Sequence, residues 1–184
     1  MLSDQVVERV RKLLSVPAPE AEDLLEWSRL YMRTERGATL DFDTHFYMPA
    51  VLADASPQKG FMCGSQVGKT TMGIAEVFGI ADLYPRPLRC IYTMHTDNAV
   101  QEFSQTRAKL AIQASDYLSR KVGGIDNVHR KSIRRRDGDS IIFFKGAAAG
   151  QQALSEPADM VVHDEVDFSR PDVLRLYEDR TAHS

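Results

Sequence analysis

Apolar positions along the chain change their spacing, and the change separates helix-like from strand-like segments. Val6, Val10, Leu13 and Leu14 recur at helical spacing behind Ser3, a capping side chain. They predict a helix over about 3–14 that Pro17 and Pro19 end. A second helix is expected from about Pro19, with Ala21, Leu24, Leu25, Trp27, Ser28 and Tyr31 as its apolar stripe. Acidic residues near its start, and Arg33 and Arg36 near its end, suit the helix dipole, and Gly37 is its stop. Residues 39–55 mix an extended piece with a short helix around 47–53, and Ser56-Pro57-Gln58-Lys59-Gly60 is a turn. From Gly60 the periods alternate: strand at 60–63, helix at about 69–82, turn at Pro85 and Pro87, strand at 88–94, helix at about 97–113. Such alternation predicts an α/β fold whose parallel sheet is joined by helical crossovers.

After Gly123-Gly124 the pattern changes. Segments 127–136 and 140–144 are β-like and flank Asp137-Gly138-Asp139, a good hairpin turn, so an antiparallel insertion is expected. Residues 146–150 read as a small-residue loop and 151–154 as one helical turn. Asp159-Met160-Val161-Val162-His163 reads as a strand that ends in Asp164-Glu165, and Pro171 begins a last helix.

Composition narrows the class. A chain of 184 residues suits one domain with a real core, and 43% hydrophobic with 27% charged residues is the balance of a soluble globular protein. No apolar run approaches the roughly 18 residues of a membrane span. Met1-Leu2-Ser3-Asp4-Gln5 lacks the basic and apolar regions of a secretory signal, so the cytoplasm is the expected compartment, with no membrane partner. Cys63 and Cys90 lie in apolar segments, where a thiol acts as a small hydrophobe. The formal net charge of −3 exerts no global pull on nucleic acid, so any such contact must be local. One basic patch qualifies: Arg130, Lys131, Arg134, Arg135 and Arg136, next to His129, put five positive charges within seven positions. It reads either as an edge strand protected by charge or as a surface dense enough to contact the phosphates of a nucleic-acid backbone.

The chemistry is concentrated at Gly64-Ser65-Gln66-Val67-Gly68-Lys69-Thr70-Thr71, between an expected strand and an expected helix. Backbone N–H groups at such a helix start converge on an anion, a lysine reaches the outer phosphates and a hydroxyl completes a Mg²⁺ shell. Gly64, Ser65, Gln66, Val67, Gly68, Lys69, Thr70 and Thr71 are therefore the candidate nucleotide contacts, with ATP and Mg²⁺ as ligands. The pattern Gly-x-x-x-x-Gly-Lys-[Ser/Thr] places its first glycine where Cys63 stands. The second half of the site is Asp164-Glu165, 95 positions after Lys69. Asp164 is the candidate metal ligand with Thr70, and Glu165 the candidate base that activates water; Lys69 is the second catalytic candidate. A dedicated glutamate favours hydrolysis over transfer to a small acceptor, and no Asn-Lys-x-Asp segment reads guanine. His163 and Asp164, neighbours on a strand, point to opposite faces, which argues against a protein-built metal cluster.

With the loop Gly64-Ser65-Gln66-Val67-Gly68-Lys69-Thr70 lacking its first glycine, the chain resembles the large terminase subunits of tailed bacteriophages, most closely the lambda-like branch. Further matches are Leu25-Glu26-Trp27 with Arg29, Tyr92-Thr93-Met94-His95-Thr96 with Ala99, Phe103-Ser104 and Arg107, Ala153-Leu154 before Pro157-Ala158-Asp159, and Asp164-Glu165-Val166-Asp167. The resemblance implies a P-loop NTPase of the additional-strand, catalytic-glutamate type, with helices on both faces of a parallel sheet. It implies a helical extension over 1–58 packed on an ATPase core over 59–184, with a β-hairpin insertion. It also implies an ATP-driven motor that packages double-stranded DNA into proheads in the bacterial host cytoplasm. Its partners would be the small terminase subunit and the portal or prohead, on which copies form a homo-oligomeric ring.

In this family a metal-dependent nuclease occupies the carboxyl-terminal half, and a coupling segment lies on the strand between the loop strand and the Asp-Glu strand. Seventeen residues after Asp167 leave room for neither, so a core truncated after its Walker B strand, with a gap in the sheet, is expected. Ser65 and Ser155 stand where many terminases carry an arginine, which leaves Arg107 and Arg120 without an assigned role. His45, Phe46 and Tyr47 stand where relatives have an aromatic segment near the base, or serve the core; His95 faces nucleotide or DNA, or caps a helix. Two alternatives stay open: another helicase-like, DNA-dependent ATPase, and a non-catalytic prophage remnant that at most binds nucleotide.

Overall fold

The computed structural model describes residues 16–64, 66–148 and 156–181. The helix expected over 3–14, the turn expected over 151–154, and Ser65 and Ser155 lie outside the described residues.

Five strands form one sheet in the order β2-β3-β4-β1-β5. Strand β1 (Arg89–Met94) is buried from Cys90 onward, as a strand covered on both faces must be. It pairs in parallel with β4 (Ser140–Gly146), Ile91 opposite Phe143, and with β5 (Met160–His163), Tyr92 opposite Val162. Strand β3 (Arg130–Ile133) pairs antiparallel with β4 and with β2 (Val122–Asp126). The expected hairpin therefore does more than decorate the sheet: its second arm, β4, is the central strand. Alternation explains this, because Ile142 and Phe144 enter one core while Phe143 enters the other, so both faces of β4 need cover. Strand β2 was hidden by Gly123-Gly124; Gly124 adopts φ +85° where the β2–β3 register shifts, so a bulge absorbs the break. Among the described residues β5 pairs with β1 alone, and segment 60–63, expected as a strand, has no regular secondary structure and joins no ladder.

Helices cover both faces. On one lie α1 (Leu24–Tyr31), α2 (Met48–Ala53), α3 (Lys69–Leu83) and a rod of α4 (Asp97–Phe103), a π turn (Ser104–Ala108) and α5 (Lys109–Ala114). Helix α6 (Asp116–Lys121) leads into β2. On the other face α7 (Pro171–Glu178) buries Val173, Leu174 and Tyr177 against Ile91 and Phe143. Side-chain caps set three starts: Asp23 accepts from Glu26 N–H at 2.7 Å, Thr96 from Ala99 N–H at 3.2 Å, and Ser115 from Leu118 N–H at 3.2 Å. Helix α1 thus starts later than Pro19, and it ends before Gly37 because the turn at 34–37 folds Arg33 back against Thr39. Cys63 and Cys90 are free thiols, and burial pushes the Cys90 thiol up to about 12. No helix among the described residues is long and apolar enough to cross a membrane.

A buried ionic centre joins α1 and the segment before it to this core. Asp82, near the end of α3, accepts from Trp27 Nε1 at 3.0 Å and Tyr117 OH at 2.6 Å, and Lys121 Nζ lies 2.6 Å from its other oxygen. Lys121 also donates to the Pro17 carbonyl at 3.0 Å. Both charged side chains are almost fully buried (Lys121 2% and Asp82 1% exposed), so each charge depends on the other. Replacing Asp82 by alanine leaves the Lys121 ammonium buried without a counter-charge. Chemical denaturation should show a loss of about 3–5 kcal/mol; a loss below about 1 kcal/mol would mean that water reaches this centre.

Candidate functional site

The loop before α3 is shaped by two left-handed residues, Gln66 at φ 61° and Gly68 at φ 81°. Gly68 caps α3, its carbonyl accepting the Met72 N–H at 2.9 Å, and a Cβ there would run into the Met48 methyl. Such a curl turns successive N–H groups toward one concavity, the form in which a backbone holds an anion. Tyr47, preceding α2, braces the loop by donating its hydroxyl to the Val67 carbonyl, and its ring stacks on Phe61. Lys69, the first residue of α3, donates from Nζ to the Cys63 carbonyl at 3.2 Å, so its ammonium folds back over the loop.

The other half arrives from β5. The Asp164 N–H donates to the Thr93 carbonyl at 3.0 Å, which extends the β1–β5 ladder by one rung and brings the carboxylate to the start of α3. Thr70 Oγ1 donates to Asp164 Oδ2 at 3.0 Å across 94 positions of sequence. Tyr92 OH donates to the same oxygen at 2.8 Å, and Glu165 N–H donates to Oδ1 at 2.9 Å. The Thr70 hydroxyl and the Asp164 carboxylate are hard oxygen donors side by side, the chemistry Mg²⁺ selects. Among the described residues no three His, Cys, Asp or Glu side chains gather for a metal, so phosphate and water oxygens would have to complete that shell.

Glu165 takes a left-handed backbone, φ 54°, at the start of the 3₁₀ turn Val166–Phe168. Its Oε2 lies 2.7 Å from His95 Nδ1, at the end of β1, and the His95 ring leans on Phe168. His95 thus faces the candidate base. His163 points to the opposite face, as strand alternation requires. Its Nδ1 meets Thr93 Oγ1 at 2.6 Å and its ring lies against Tyr177. Burial holds the His163 imidazole below its ordinary value, and Glu178 works against that shift.

Structure divides the basic segment. Lys131 is buried and its Nζ lies 2.6 Å from Asp126; Arg134 donates to the Arg120 carbonyl. Arg135 donates to the carbonyls of Ala81, Asp82 and Tyr84 at the end of α3 and pairs with Asp137. His129, Arg130 and Arg136 remain exposed. Arg107, on the π turn, pairs with Glu35 at 2.8 Å and lines a cavity of about 320 Å³ with Arg33, Arg36, Thr70 and Thr71. Arg120 donates back to its own helix at Asp116 O, 3.1 Å. His45 contacts the Asp41 carbonyl, and Phe46 is exposed beside Tyr47. The residue that sequence reasoning missed is Tyr92: in an apolar strand a tyrosine reads as core, and only its pairing opposite Val162 brings its hydroxyl to Asp164.

A family model described as "Phage terminase large subunit gpA, ATPase domain" matches residues 48–182. Among solved structures, the large terminase of a thermophilic bacteriophage is similar in fold. Its second crystal form has a TM-score of 0.56 at 15% identity, covering 75% of this chain and 35% of that one. Its complex with ADP, in a third crystal form, has a TM-score of 0.57 at 15% identity with the same coverage. The chain thus spans about a third of the length of the structures it resembles. Comparison with curated proteins found no match.

Gly68→Ala should cost about 1–3 kcal/mol, because an L side chain is forced to positive φ while its Cβ displaces Met48. Thermal unfolding and ADP titration should both record the change. A variant with unaltered melting temperature and ADP affinity would show that the left-handed turn at 68 is dispensable.

Proposed function

The chain belongs to the ATPase-domain family of the phage terminase large subunit gpA, and we propose that it is the nucleotide-hydrolysing part of a motor that drives double-stranded DNA into proheads. The observation that carries this reading is the meeting of Thr70, from the first turn of α3, with Asp164, from the end of β5. Amides of Gly64, Ser65, Gln66, Val67, Gly68, Lys69, Thr70 and Thr71, with the Lys69 ammonium moved off the Cys63 carbonyl, would hold the phosphates of ATP. Thr70 and Asp164 would hold Mg²⁺, which when bound neutralises charge on the outer phosphates.

Glu165 would take a proton from water as the water oxygen attacks the γ-phosphorus and the bond to the bridging oxygen breaks, yielding ADP and phosphate. His95 orients that carboxylate through Oε2. We read 1–58 as an extension on a core at 59–184, held to it by the Asp82 centre. The proposed setting is the host cytoplasm, with the small subunit, portal or prohead and further copies in a ring as partners. On the DNA side, exposed Arg130 and Arg136 are the members of the basic segment available for phosphate contact. Lys131, Arg134 and Arg135 would support that strand from within. A non-catalytic, nucleotide-binding reading draws on the charge balance beside Thr70, where Arg107 is engaged by Glu35.

Glu165→Gln should retain ATP binding and lower phosphate release by about 100-fold or more, measured by nucleotide fluorescence and steady-state hydrolysis. Undiminished turnover removes Glu165 as the base, and a wild-type chain that binds ATP without turnover supports the non-catalytic reading. Arg130→Gln with Arg136→Gln should reduce the slope of log affinity for duplex DNA against log salt by about 2. An unchanged slope would return both residues to edge protection.

A further inference from the structure

We propose that Tyr92 is a positioning residue for Asp164: its hydroxyl, admitted beneath α3 by Gly73, holds the carboxylate ready for a divalent cation beside Thr70. The inference rests on the reading of Thr70 and Asp164 as metal ligands and adds to it the group that aims one of them.

Tyr92 stands opposite Val162 in the parallel β1–β5 ladder, so its side chain shares a sheet face with Val162 and Asp164. The hydroxyl donates to Asp164 Oδ2 at 2.8 Å, the oxygen that also accepts from Thr70. These two donors differ in rigidity. Thr70 sits in the first turn of α3, whereas the Tyr92 ring is fully buried, stacked on Phe103 with centroids 4.7 Å apart and planes 11° apart, and tilted against Phe144. The core therefore sets where the phenolic oxygen stands. A carboxylate aimed by a fixed neighbour is already oriented when a cation arrives, which is how outer groups strengthen a metal site.

Gly73 supplies the second observation. It lies in the first half of the 15-residue α3, where glycine is the poorest helix former apart from proline. A Cβ at this position would stand 2.8 Å from the Tyr92 oxygen and 3.2 Å from its Cε2. The residue's smallness opens the path by which the hydroxyl reaches Asp164. Packing alone would be served by phenylalanine; the hydroxyl adds one buried polar group, and it points at Asp164.

Tyr92→Phe tests this in the full chain. Calorimetric titration of Mg²⁺ into the protein–ADP complex should show affinity weakened by about 10–100-fold. ADP affinity in EDTA and metal-free melting temperature should stay near wild type. Unchanged Mg²⁺ affinity, or an equal loss of ADP affinity in EDTA, overturns the proposal. If Tyr92→Phe does not fold, Gly73→Ala is the second variant, since it displaces the hydroxyl while keeping it; Mg²⁺ affinity should fall, and an unchanged value overturns the proposal. A wild-type chain that binds ADP but takes up no Mg²⁺ sinks the metal-ligand reading itself, an outcome distinct from either.

Discussion

The hydrogen bond from Asp164 N–H to the Thr93 carbonyl, 3.0 Å long, sets the position of the acidic half of the candidate site, against which the loop half is placed. It is the last rung of the β1–β5 ladder, and a parallel strand shifted by one residue would turn Asp164 to the face now occupied by His163. With the register as it stands, Asp164 meets Thr70 and Tyr92, Glu165 turns through a left-handed backbone toward His95, and His163 is left against Tyr177. β1 thus contributes a side chain to each member of the acidic pair, one from within the sheet and one from just beyond its end.

Register alone would not hold the loop half in place. Helix α3 carries Lys69 and Thr70 at one end and Asp82 near the other, so the orientation of the loop depends on what anchors the far end. That anchor is electrostatic and buried. Trp27, Tyr117 and Lys121 converge on Asp82, and Arg135 donates to the carbonyls exposed where α3 stops. Tyr47 steadies the near end through the Val67 carbonyl. The N-terminal layer is in this sense part of the candidate site, since it braces both ends of the helix that carries Lys69 and Thr70.

The basic segment illustrates how charge density misleads when only sequence is available. Five positive charges in seven positions read as one surface, yet alternation along β3 and the end of α3 direct Lys131 and Arg135 inward to Asp126 and to helix carbonyls. The guanidinium of Arg135 caps a helix. A patch of two exposed arginines and a histidine is a smaller electrostatic footprint, spread over the start of β3 and the residues that flank the strand.

The sequence by itself determined the alternating elements from α3 onward, the loop around Lys69, the Asp164-Glu165 pair and the opposed directions of His163 and Asp164. Each follows from local physics: periodicity, glycine at a left-handed helix start, and a strand's two-residue repeat. It misjudged 60–63, which has the composition of a strand but lacks a ladder among the described residues, and it passed over β2, where a bulge absorbs Gly124. Only the tertiary structure decided that β4 is central, that Tyr92 donates to Asp164, that His95 faces Glu165 and that Asp82 is paired with Lys121. Those contacts join residues 39 to 72 positions apart, where no local period reports on proximity and only strand register and helix packing bring the groups together.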